Sequence, residues 1–477
     1  MAFFAFNNAA TNLYFFIMWF VSYYVTGVAG ITVVIVSTIL TGMRFFDGIT
    51  DPIIGFIIDK TNTKFGKFRP FMIVGNAILA LSTWILFTFT HTLSEEIRLV
   101  FFILIYAVHI IGYTFQTACT RAAQAVLTND PKQRPIFSGF DATYTVSIFI
   151  FGQVLIASYL VPKYEGFKQG LFTELITYGI LLSAVLTVLA VVGIWEKDRL
   201  EYFGFAEKSV KTGFKDYWPV IKRNRPLQML VIAASTDKLA NSIQRQPAVP
   251  VAFFGIVLGN YELSGTIQMI TIIPTLLLTY LGIAYARRAG MKKTFVYGTW
   301  GALISFSILL FLFFFIDPKN ISLSNLGMST IVFLILYTLG FGFGGLTGNM
   351  VIPMIADTSD YETHITGRFV PGMISTIFSF VDKIISSLSS TIVGIMLAFI
   401  GFKEVFPQVD DPLTPALFAM ALVFQFGFPI LGWIASLVAM KFYELDGEKM
   451  AEIQEEIAGV KQLLVEKKQI TVPPDQK

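Results

Sequence analysis

Cysteine, histidine and charge are all scarce in this sequence. Cys119 is the single cysteine among 477 residues, so no intramolecular disulfide can form and the fold does not depend on an oxidising compartment. The three histidines are scattered, and their spacing suits neither a metal site nor a nucleophile with its base. Charged residues make up 14% of the chain, where a soluble protein carries about a quarter. The composition therefore excludes an ordinary soluble domain.

Apolar residues are abundant instead. They make up 55% of the chain, which contains 48 phenylalanines. The net charge of +3 gives no reason to expect a nucleic-acid partner. The first apolar stretch begins almost at the N-terminus without a basic region or a cleavage site, so we expect a retained first helix and not a signal peptide. These features predict an integral membrane protein.

Twelve apolar runs are each long enough to cross a bilayer as a helix. They are residues 4–26, 31–58, 69–91, 98–127, 136–161, 173–195, 227–257, 263–285, 294–316, 327–355, 370–400 and 414–442. The longest polar interruption lies between the sixth and seventh runs. We therefore expect an all-α membrane protein with an N-terminal half (1–195), a central loop (196–226), a C-terminal half (227–443) and a tail (444–477).

Lysine and arginine are distributed unevenly among the loops. One side of the predicted topology holds the eight basic residues of the central loop together with Lys60, Lys64, Lys67, Arg69, Lys132, Arg134, Arg287, Arg288, Lys292, Lys293 and Arg368. The other side holds Arg98, Lys163, Lys168, Lys319 and Lys403. Cytoplasmic loops are rich in these residues, so we expect both termini in the cytoplasm.

An internal repeat supports the division into halves. The loop after run two, "GFIIDKTNTKFGKF" (Gly55–Phe68), matches the loop after run eight, "GIAYARRAGMKKTF" (Gly282–Phe295). Each has a glycine near a helix end, then basic residues, a second glycine and more basic residues. At equivalent places in two sets of six helices, this pattern indicates the duplicated halves of a major facilitator transporter.

The tail has a different periodicity. Met450, Ile453, Ile457, Val460 and Leu464 recur at three- and four-residue spacing between charged residues. This pattern predicts an amphipathic cytoplasmic helix over residues 446–466. We expect it to pack on the cytoplasmic face, and a regulatory or partner-binding role is the alternative.

Run two contains charges that a membrane helix normally excludes. Asp47 and Asp51 lie four residues apart, which places them on one helical face with Arg44 and Thr50 close by. A charge at the centre of a bilayer costs several kcal/mol, so acids there usually have a function. Two carboxylates and a hydroxyl suit a hard cation such as sodium.

Proton binding and a structural ion pair are the alternatives to a sodium site. The same carboxylates could share a proton, because two like charges at this spacing do not both ionise readily. Alternatively, Asp47 pairs with Arg44, and Asp51 caps a kink before Pro52. One acid would suffice for such a structural pair, and a buried ion pair is not by itself stabilising.

Two long motifs resemble those of a known family. "RFFDGITDPIIGFIIDKTNTKFGKFRP" (Arg44–Pro70) and "ADTSDYETHITGR" (Ala356–Arg368) are similar to the signatures of the glycoside-pentoside-hexuronide:cation symporters, the melibiose permease family. In the family the second signature lies between spans ten and eleven. The resemblance implies a bacterial inner-membrane carrier that couples sugar uptake to sodium or protons by alternating access, with no enzymatic activity and no cofactor beyond the coupling cation.

The resemblance also suggests a cation site. Asp47 and Asp51 match the carboxylates that bind the cation, and Thr114 of run four matches a hydroxyl that faces it. Thr50 stands where melibiose permease has an asparagine tied to cation choice, which leaves sodium versus proton open. Residues with expected coupling or structural roles are Arg44, Lys383 and Ser379.

The chain departs from melibiose permease where the sugar binds. Thr117 and Arg121 replace an acid and a stacking tryptophan in run four, and run one offers no acid, only Asn7, Asn8, Thr11 and Asn12. Thr114, Thr117, Arg121 and Gln124 form one polar stripe. Arg121 either reaches the cytoplasmic surface, pairs with Asp141 or binds an anionic group of the substrate.

Run seven adds a second polar face. Asp237, Lys238, Asn241, Gln244 and Arg245 share a segment that Pro247 and Pro250 interrupt. A proline leaves backbone carbonyl groups without their helical hydrogen bonds, and membrane helices tolerate this where they border a cavity. We therefore expect this segment to line a cavity. The alternative for Asp237 and Lys238 is simple solvation near the cytoplasmic end.

These residues predict a substrate site and a substrate class. The expected contacts are Arg121, Thr117, Gln124, Lys383, Arg245, Asn241 and Asn12. Because cations replace acids, we expect an anionic sugar such as a hexuronide, a glucuronide or a sulfonated sugar, carried by a monomer. A lysolipid carrier on the same scaffold is the alternative that phenylalanine-rich walls suggest. A membrane enzyme would need an acid/base or metal cluster near one interface, and the sequence offers none.

Overall fold

We describe the fold from a computed structural model of the chain. It describes residues 2–61, 63–127, 134–198, 217–324, 326–367, 371–457 and 459. Most of these residues are helical, and ten of the helices are long and apolar enough to cross a membrane.

The N-terminal half contains spans one to six. Span one is α1 (Ala2–Trp19) and α2 (Val21–Gly27), span two is α3 (Val33–Lys60), span three is α4 (Arg69–Phe89) and span four is α5 (Glu95–Leu127). Span five consists of α6 (Arg134–Val154), a π-helical segment (Leu155–Leu160) and α7 (Val161–Tyr164), and span six is α8 (Gln169–Ile194).

The C-terminal half repeats this order. A short helix, α9 (Tyr217–Arg223), precedes span seven, which is α10 (Arg225–Gln244), α11 (Ala248–Pro250) and a π-helical segment (Val251–Val257). Spans eight to eleven are α12 (Leu263–Ala289), α13 (Met291–Leu312), α14 (Met328–Thr366) and α15 (Pro371–Phe399). Span twelve is α16 (Pro415–Leu422), a π-helical segment (Val423–Gly427) and α17 (Phe428–Lys441).

Spans one and seven complete the expected twelve, although their main helices are less apolar than the ten membrane-length helices. Each carries a cluster of polar residues, around Asn7 and Asn12 in span one and around Asp237 and Asn241 in span seven. Polar helices in a membrane protein are placed where protein or water surrounds them. Both helices pack inside their own half, span one against spans five and six and span seven against spans eleven and twelve.

The packing of the helices shows the predicted pseudo-symmetry. Span one packs on span six, and span three on span four, as span seven packs on span twelve and span nine on span ten. Between the halves, span two packs on span eleven and span five on span eight. Spans two and eight are equivalent in the two halves, as are spans five and eleven, so exchanging the halves converts one interface into the other, as expected of duplicated halves.

Span ten is longer than the sequence pattern predicts. The apolar run ends near residue 355, but the helix continues to Thr366, so most of the second signature is helical and not a loop. Buried Glu362 there accepts a hydrogen bond from Asn224 Nδ2 at 3.1 Å. The helix ends at Gly367, whose φ of +67° gives a left-handed cap. The hydropathy pattern did not predict this extension, because most residues between 356 and 366 are polar.

A buried carboxylate holds the loop between spans two and three. Asp198 accepts hydrogen bonds from the backbone N–H groups of Lys67 at 2.8 Å and Arg69 at 2.9 Å, at the start of span three. Gly66 has a φ of +101°, and a Cβ there would lie 2.2 Å from Asp198 Oδ2. The second glycine of the repeated loop is therefore required by both its backbone and its neighbour.

The tail begins with a docked helix over residues 447–457, and residues 458 and 460–466 of the predicted helix lie outside the described part of the chain. Ile453 is fully buried in a cluster with Tyr443, Leu445 and span ten. Gln454 Nε2 donates to Asp360 Oδ2 at 2.5 Å, and Glu456 lies 2.9 Å from His364 Nδ1. The tail helix therefore packs on the extended end of span ten. Within the predicted central loop, α9 also packs on spans seven and eleven.

Candidate functional site

Hydroxyl groups join spans two and eleven across the two halves. Thr41 Oγ1 lies 2.7 Å from Thr391 Oγ1 and donates to the carbonyl oxygen of Ser387 at 2.9 Å. The helices approach closely at Gly394, where a Cβ would lie 2.0 Å from Ser37 Oγ. We call this contact the hydroxyl seam.

The loops beside the hydroxyl seam also connect the halves, and we call this end of the molecule the closed end. Val33 N donates to the carbonyl oxygen of Lys403 at 2.9 Å, and Tyr23 OH donates to that of Pro407 at 2.7 Å. On the other interface, Gln153 Nε2 donates to Ser264 Oγ at 2.9 Å. Toward the opposite end, span two exposes Ile53, Phe56 and Ile57. The loop contacts between the halves that the described residues show thus lie at the closed end.

An ammonium group from one half lies between two carboxylates of the other. Lys383 Nζ of span eleven is 2.6 Å from Asp51 Oδ2 and 3.4 Å from Asp47 Oδ2 of span two. The side chain of Asp47 is 9% exposed, that of Asp51 27% and that of Lys383 35%. Solvent can therefore reach Asp51 and Lys383, whereas Asp47 is buried beneath them.

Two hydroxyl groups complete an oxygen-rich site around Asp47. Thr114 Oγ1 of span four donates to Asp47 Oδ1 at 3.4 Å and lies 3.3 Å from Thr50 Oγ1. Thr50 Oγ1 also donates to the backbone carbonyl oxygen of Asp47 at 3.0 Å. Carboxylate, hydroxyl and carbonyl oxygens are the ligands that hard cations prefer. The structure thus brings together the four predicted cation ligands, Asp47, Asp51, Thr50 and Thr114.

The alternative pairing of Asp47 with Arg44 is wrong. Asp47 pairs with Lys383, and the exposed guanidinium of Arg44 lies 5.1 Å from the ring centroid of Phe15. Ser379 is exposed one turn before Lys383 on span eleven. The spacing of Asp47 and Asp51 could not reveal Lys383 as their partner, because that contact joins residues more than 300 positions apart.

The predicted substrate contacts of spans one and four are only partly described. Thr117 Oγ1 donates to the backbone carbonyl oxygens of Tyr113 at 3.0 Å and Thr114 at 3.2 Å. Asn12 Nδ2 donates to Thr145 Oγ1 of span five at 2.9 Å. Arg121 and Gln124 belong to span four, but their side chains lie outside the described part, as does any pairing of Arg121 with Asp141.

Span seven contributes an exposed cation and a buried acid. Asp237 is 5% exposed, so the alternative of simple solvation is wrong for this residue. Lys238 is exposed, and its Nζ lies 3.9 Å from Asp382 Oδ2 of span eleven. The side chain of Arg245 is exposed and has no hydrogen bond or ion pair with another described residue.

Sequence reasoning missed the residues that hold the break in span seven. After Arg245 the helix unwinds through Gln246 and Pro247, and Gln246 Nε2 donates to Ser389 Oγ at 3.0 Å and Ser390 Oγ at 3.1 Å. A small cavity next to this break is lined by Ser22, Ser37 and Gln246, among others. The available signals were Pro247 and the serine-rich "SSLSS" of span eleven.

A family model described as "MFS/sugar transport protein" matches residues 3–447, nearly the whole chain. The chain belongs to this family. It is a membrane transporter of the major facilitator type, a symporter by its relatives, and not an enzyme.

Curated relatives of the transporter agree with this assignment. The "Glucuronide carrier protein homolog" of Escherichia coli is 24% identical, with 94% of this chain and 92% of the relative covered. The "Isoprimeverose transporter" of Lactiplantibacillus pentosus is 23% identical, with 92% and 87% covered. The transporter therefore carries a sugar-like solute together with a cation.

Solved structures share the fold. A bacterial homologue of the iron transporter ferroportin superposes with a TM-score of 0.61 at 11% identity, with 91% of this chain and 96% of that chain covered. A bacterial homologue of the lysosomal transporter Spinster gives 0.56 at 13% identity, with 93% and 95% covered. At these identities the likeness concerns the fold alone.

Proposed function

We propose that the transporter couples inward movement of an anionic sugar to sodium, and that Lys383 connects the cation site to the substrate site. One observation carries this proposal: the ammonium of the C-terminal half lies between the two carboxylates of the N-terminal half. A cation at the same carboxylates competes with Lys383, because both need the same oxygen atoms. Cation binding therefore releases Lys383 toward the cavity.

The released ammonium explains how one ligand raises the affinity of the other. A free cation in a low-dielectric cavity is poorly solvated, so it gains more from an anionic or hydroxyl group of the substrate than from water. Substrate then favours the state in which sodium occupies Asp47 and Asp51. Linkage requires the effect to be reciprocal, with a coupling of about 1 to 3 kcal/mol.

The proposed orientation places the closed end outside the cell. Both termini and the basic loops then face the cytoplasm of a bacterium, in agreement with the distribution of Lys and Arg. In this orientation the cavity opens inward. Transport requires the hydroxyl seam to part while the opposite ends of the halves meet, which is alternating access.

Arg245 supports an anionic substrate. Its side chain is exposed, and although the charge of Asp237 acts on it, no described carboxylate lies within ion-pair distance, so a carboxylate or sulfonate on the ligand can form a bidentate bond. A relative named for glucuronide transport is consistent with this class. We propose Arg121, whose side chain is outside the described part, as a second anion contact. Sodium is proposed over the proton because Thr50 and Thr114 add oxygen ligands to the carboxylates.

Binding measurements test the proposed coupling. Calorimetric titration of purified protein with methyl β-D-glucuronide, in sodium chloride and in choline chloride at one pH, is expected to show at least fivefold tighter binding with sodium. Methyl β-D-glucoside is the neutral control and is expected to bind more weakly. Equal affinity in both salts together with a dependence on pH would replace sodium by the proton, and equal binding of both glycosides would exclude the anionic preference.

A further inference from the structure

The side-chain amide of Asn241 has both of its hydrogens occupied. Its Nδ2 donates to Asp237 Oδ1 at 3.0 Å and to the backbone carbonyl oxygen of Asp237 at 2.9 Å, one turn earlier on span seven. An amide nitrogen carries two hydrogens, so no donor remains for a ligand. An ionised carboxylate accepts hydrogen bonds only, which keeps the nitrogen of the amide turned toward Asp237.

The other end of the amide is available. Asn241 is half-buried, and its Oδ1 atom is neither bonded to another described residue nor among the buried atoms without a partner. This oxygen is therefore an accessible hydrogen-bond acceptor.

The accessible face of span seven lies where we propose the central cavity. Span seven packs against spans ten, eleven and twelve, which cover its other sides. Lys238, Asn241 and Arg245 follow one another at three- and four-residue spacing, so they share a face, and both cations on it are exposed. Charged side chains within a membrane protein face a water-filled space and not lipid.

We infer that Asp237 is a positioning residue, which fixes Asn241 as an acceptor for a ligand hydroxyl group. Arg245, one turn beyond Asn241, supplies donors and a positive charge, and side chains at this spacing lie about 5–6 Å apart. The pair recognises a ligand with an anionic group and a hydroxyl donor a few ångströms apart, as in a sugar acid. The inference rests on the proposed function. It adds that the ligand must present a hydroxyl donor to Asn241, and that Asp237 orients the Asn241 amide.

The burial of Asp237 fits an indirect role. At 5% exposure its carboxylate offers little surface to a ligand, and neighbouring Lys238 turns instead toward Asp382. A buried charge is expensive to keep, and an apolar residue in its place would often be as stable. Orientation of Asn241 gives a reason for this acid.

Deoxygenated ligands test the inference. Methyl β-D-glucuronide and its 2-, 3- and 4-monodeoxy analogues are titrated into the purified full chain in sodium chloride. In the unmodified protein, one analogue is expected to bind at least tenfold more weakly than the parent. In Asp237→Asn, which is isosteric but also offers donors, only the backbone carbonyl oxygen of residue 237 still orients the Asn241 amide, so the ratio is expected to fall to at most half of its value in the unmodified protein. Asn241→Ala is expected to abolish the same discrimination.

Glu362→Gln is the matched control. Glu362 is also a buried carboxylate that accepts from an asparagine, but it lies on the extension of span ten, so the tenfold ratio is expected to persist. Melting temperatures establish that each variant is folded. If Asp237→Asn does not fold, the binding ratios of Asn241→Ala test the inference.

Three results would overturn the inference: a tenfold ratio that survives in both variants, equal binding of all four ligands by the unmodified protein, or no binding of any of them. Sodium-driven uptake of a neutral glycoside into liposomes would then still support sodium-coupled sugar symport. Absence of such uptake would count against the symport itself.

Discussion

At the scale of single residues, the proposed cation site is built from side chains that alone would be costly in a membrane. Asp47 is buried, and its charge is offset by Lys383 from the other half and by the hydroxyl of Thr114. Removal of one partner of a buried pair usually costs more than the pair contributes, because the remaining charge is left unpaired. These residues are therefore interdependent.

Removal of either carboxylate is expected to abolish accumulation of substrate. Asp47→Asn and Asp51→Asn each delete a cation ligand without adding bulk, so sodium binding and concentrative uptake should fall at least tenfold while the protein remains in the membrane. Uptake of labelled substrate into proteoliposomes under a sodium gradient measures this. Asp360→Asn, on the extension of span ten, is the control, and gradient-driven accumulation in either site variant would remove that residue from the cation site.

Lys383→Gln separates competition from a purely structural role. If the ammonium occupies the place of the cation, its removal should tighten sodium binding several-fold, because the competitor is gone. The same variant should lose the effect of sodium on ligand affinity, because nothing is released. Calorimetric titration of sodium, then of methyl β-D-glucuronide with and without sodium, measures both. A variant with weakened sodium binding and intact coupling contradicts the proposed role.

At the scale of elements, the hydroxyl seam is an interface that can separate at low cost. A threonine hydroxyl that loses its partner on the opposite helix can bond its own backbone one turn earlier, as Thr38 does to the carbonyl oxygen of Val34 at 2.8 Å. Hydrogen bonds between membrane helices contribute only about 0.6 to 2 kcal/mol each. Spans two and eleven can therefore close tightly and still part.

Gly394→Ala is expected to prevent this closure. The added Cβ would lie 2.0 Å from Ser37 Oγ and 2.5 Å from its Cβ, so the helices must move apart. The population should shift toward the conformation with an open seam, and labelling of a cysteine introduced at Thr41 by a membrane-impermeant maleimide should become at least tenfold faster. Gly42→Ala, on span two, where an added Cβ would meet no atom within 4 Å, is the control. Unchanged labelling in Gly394→Ala would show that the seam tolerates the bulk.

The tail helix packs on the protein through Ile453, with Met450 and Ile457 partly buried beside it. Ile453 is fully buried, and truncation of such a residue to alanine costs about 2–5 kcal/mol. Ile453→Ala should therefore detach the tail helix, and hydrogen–deuterium exchange over residues 447–457 should rise by more than tenfold. Glu455→Ala, an exposed position of the same helix, should leave exchange unchanged. Persistent protection in Ile453→Ala would mean that the polar contacts to Asp360 and His364 suffice.

At the scale of the whole molecule, the sequence predicts the twelve spans and the two halves because hydropathy and repeat length are local properties. The ends of the spans were less predictable, since α14 continues to Thr366 through polar residues that bond to span seven and the tail. The spacing of Asp47 and Asp51 predicted a cation site, and the structure places Thr50 and Thr114 beside Asp47. Their contact with Lys383 and the fixed amide of Asn241 depend on how helices pack, which no local pattern encodes.

A disulfide across the seam is expected to arrest the transporter. Thr41 Oγ1 and Thr391 Oγ1 are 2.7 Å apart, so cysteines at both positions should cross-link under mild oxidation. Native Cys119 is buried and should not interfere. Uptake should stop on oxidation and return with dithiothreitol. The pair Thr38→Cys and Thr391→Cys is the control because Thr38 is exposed and its hydroxyl bonds its own helix and not span eleven. Full uptake by the cross-linked protein would exclude opening of the closed end during transport.

The ammonium between Asp47 and Asp51 also determines how the transporter responds to voltage. Two carboxylates and one ammonium sum to a charge of −1, and a bound monovalent cation brings this to zero. On the proposed function, sodium and an anionic sugar bind together, so the site carries the same charge of −1 when loaded as when empty. A membrane potential acts with about 2.3 kcal/mol per elementary charge per 100 mV. An interior-negative potential therefore favours the outward return of the empty carrier and opposes the inward movement of the loaded one equally, so the sodium gradient and not the voltage drives uptake of a singly charged sugar.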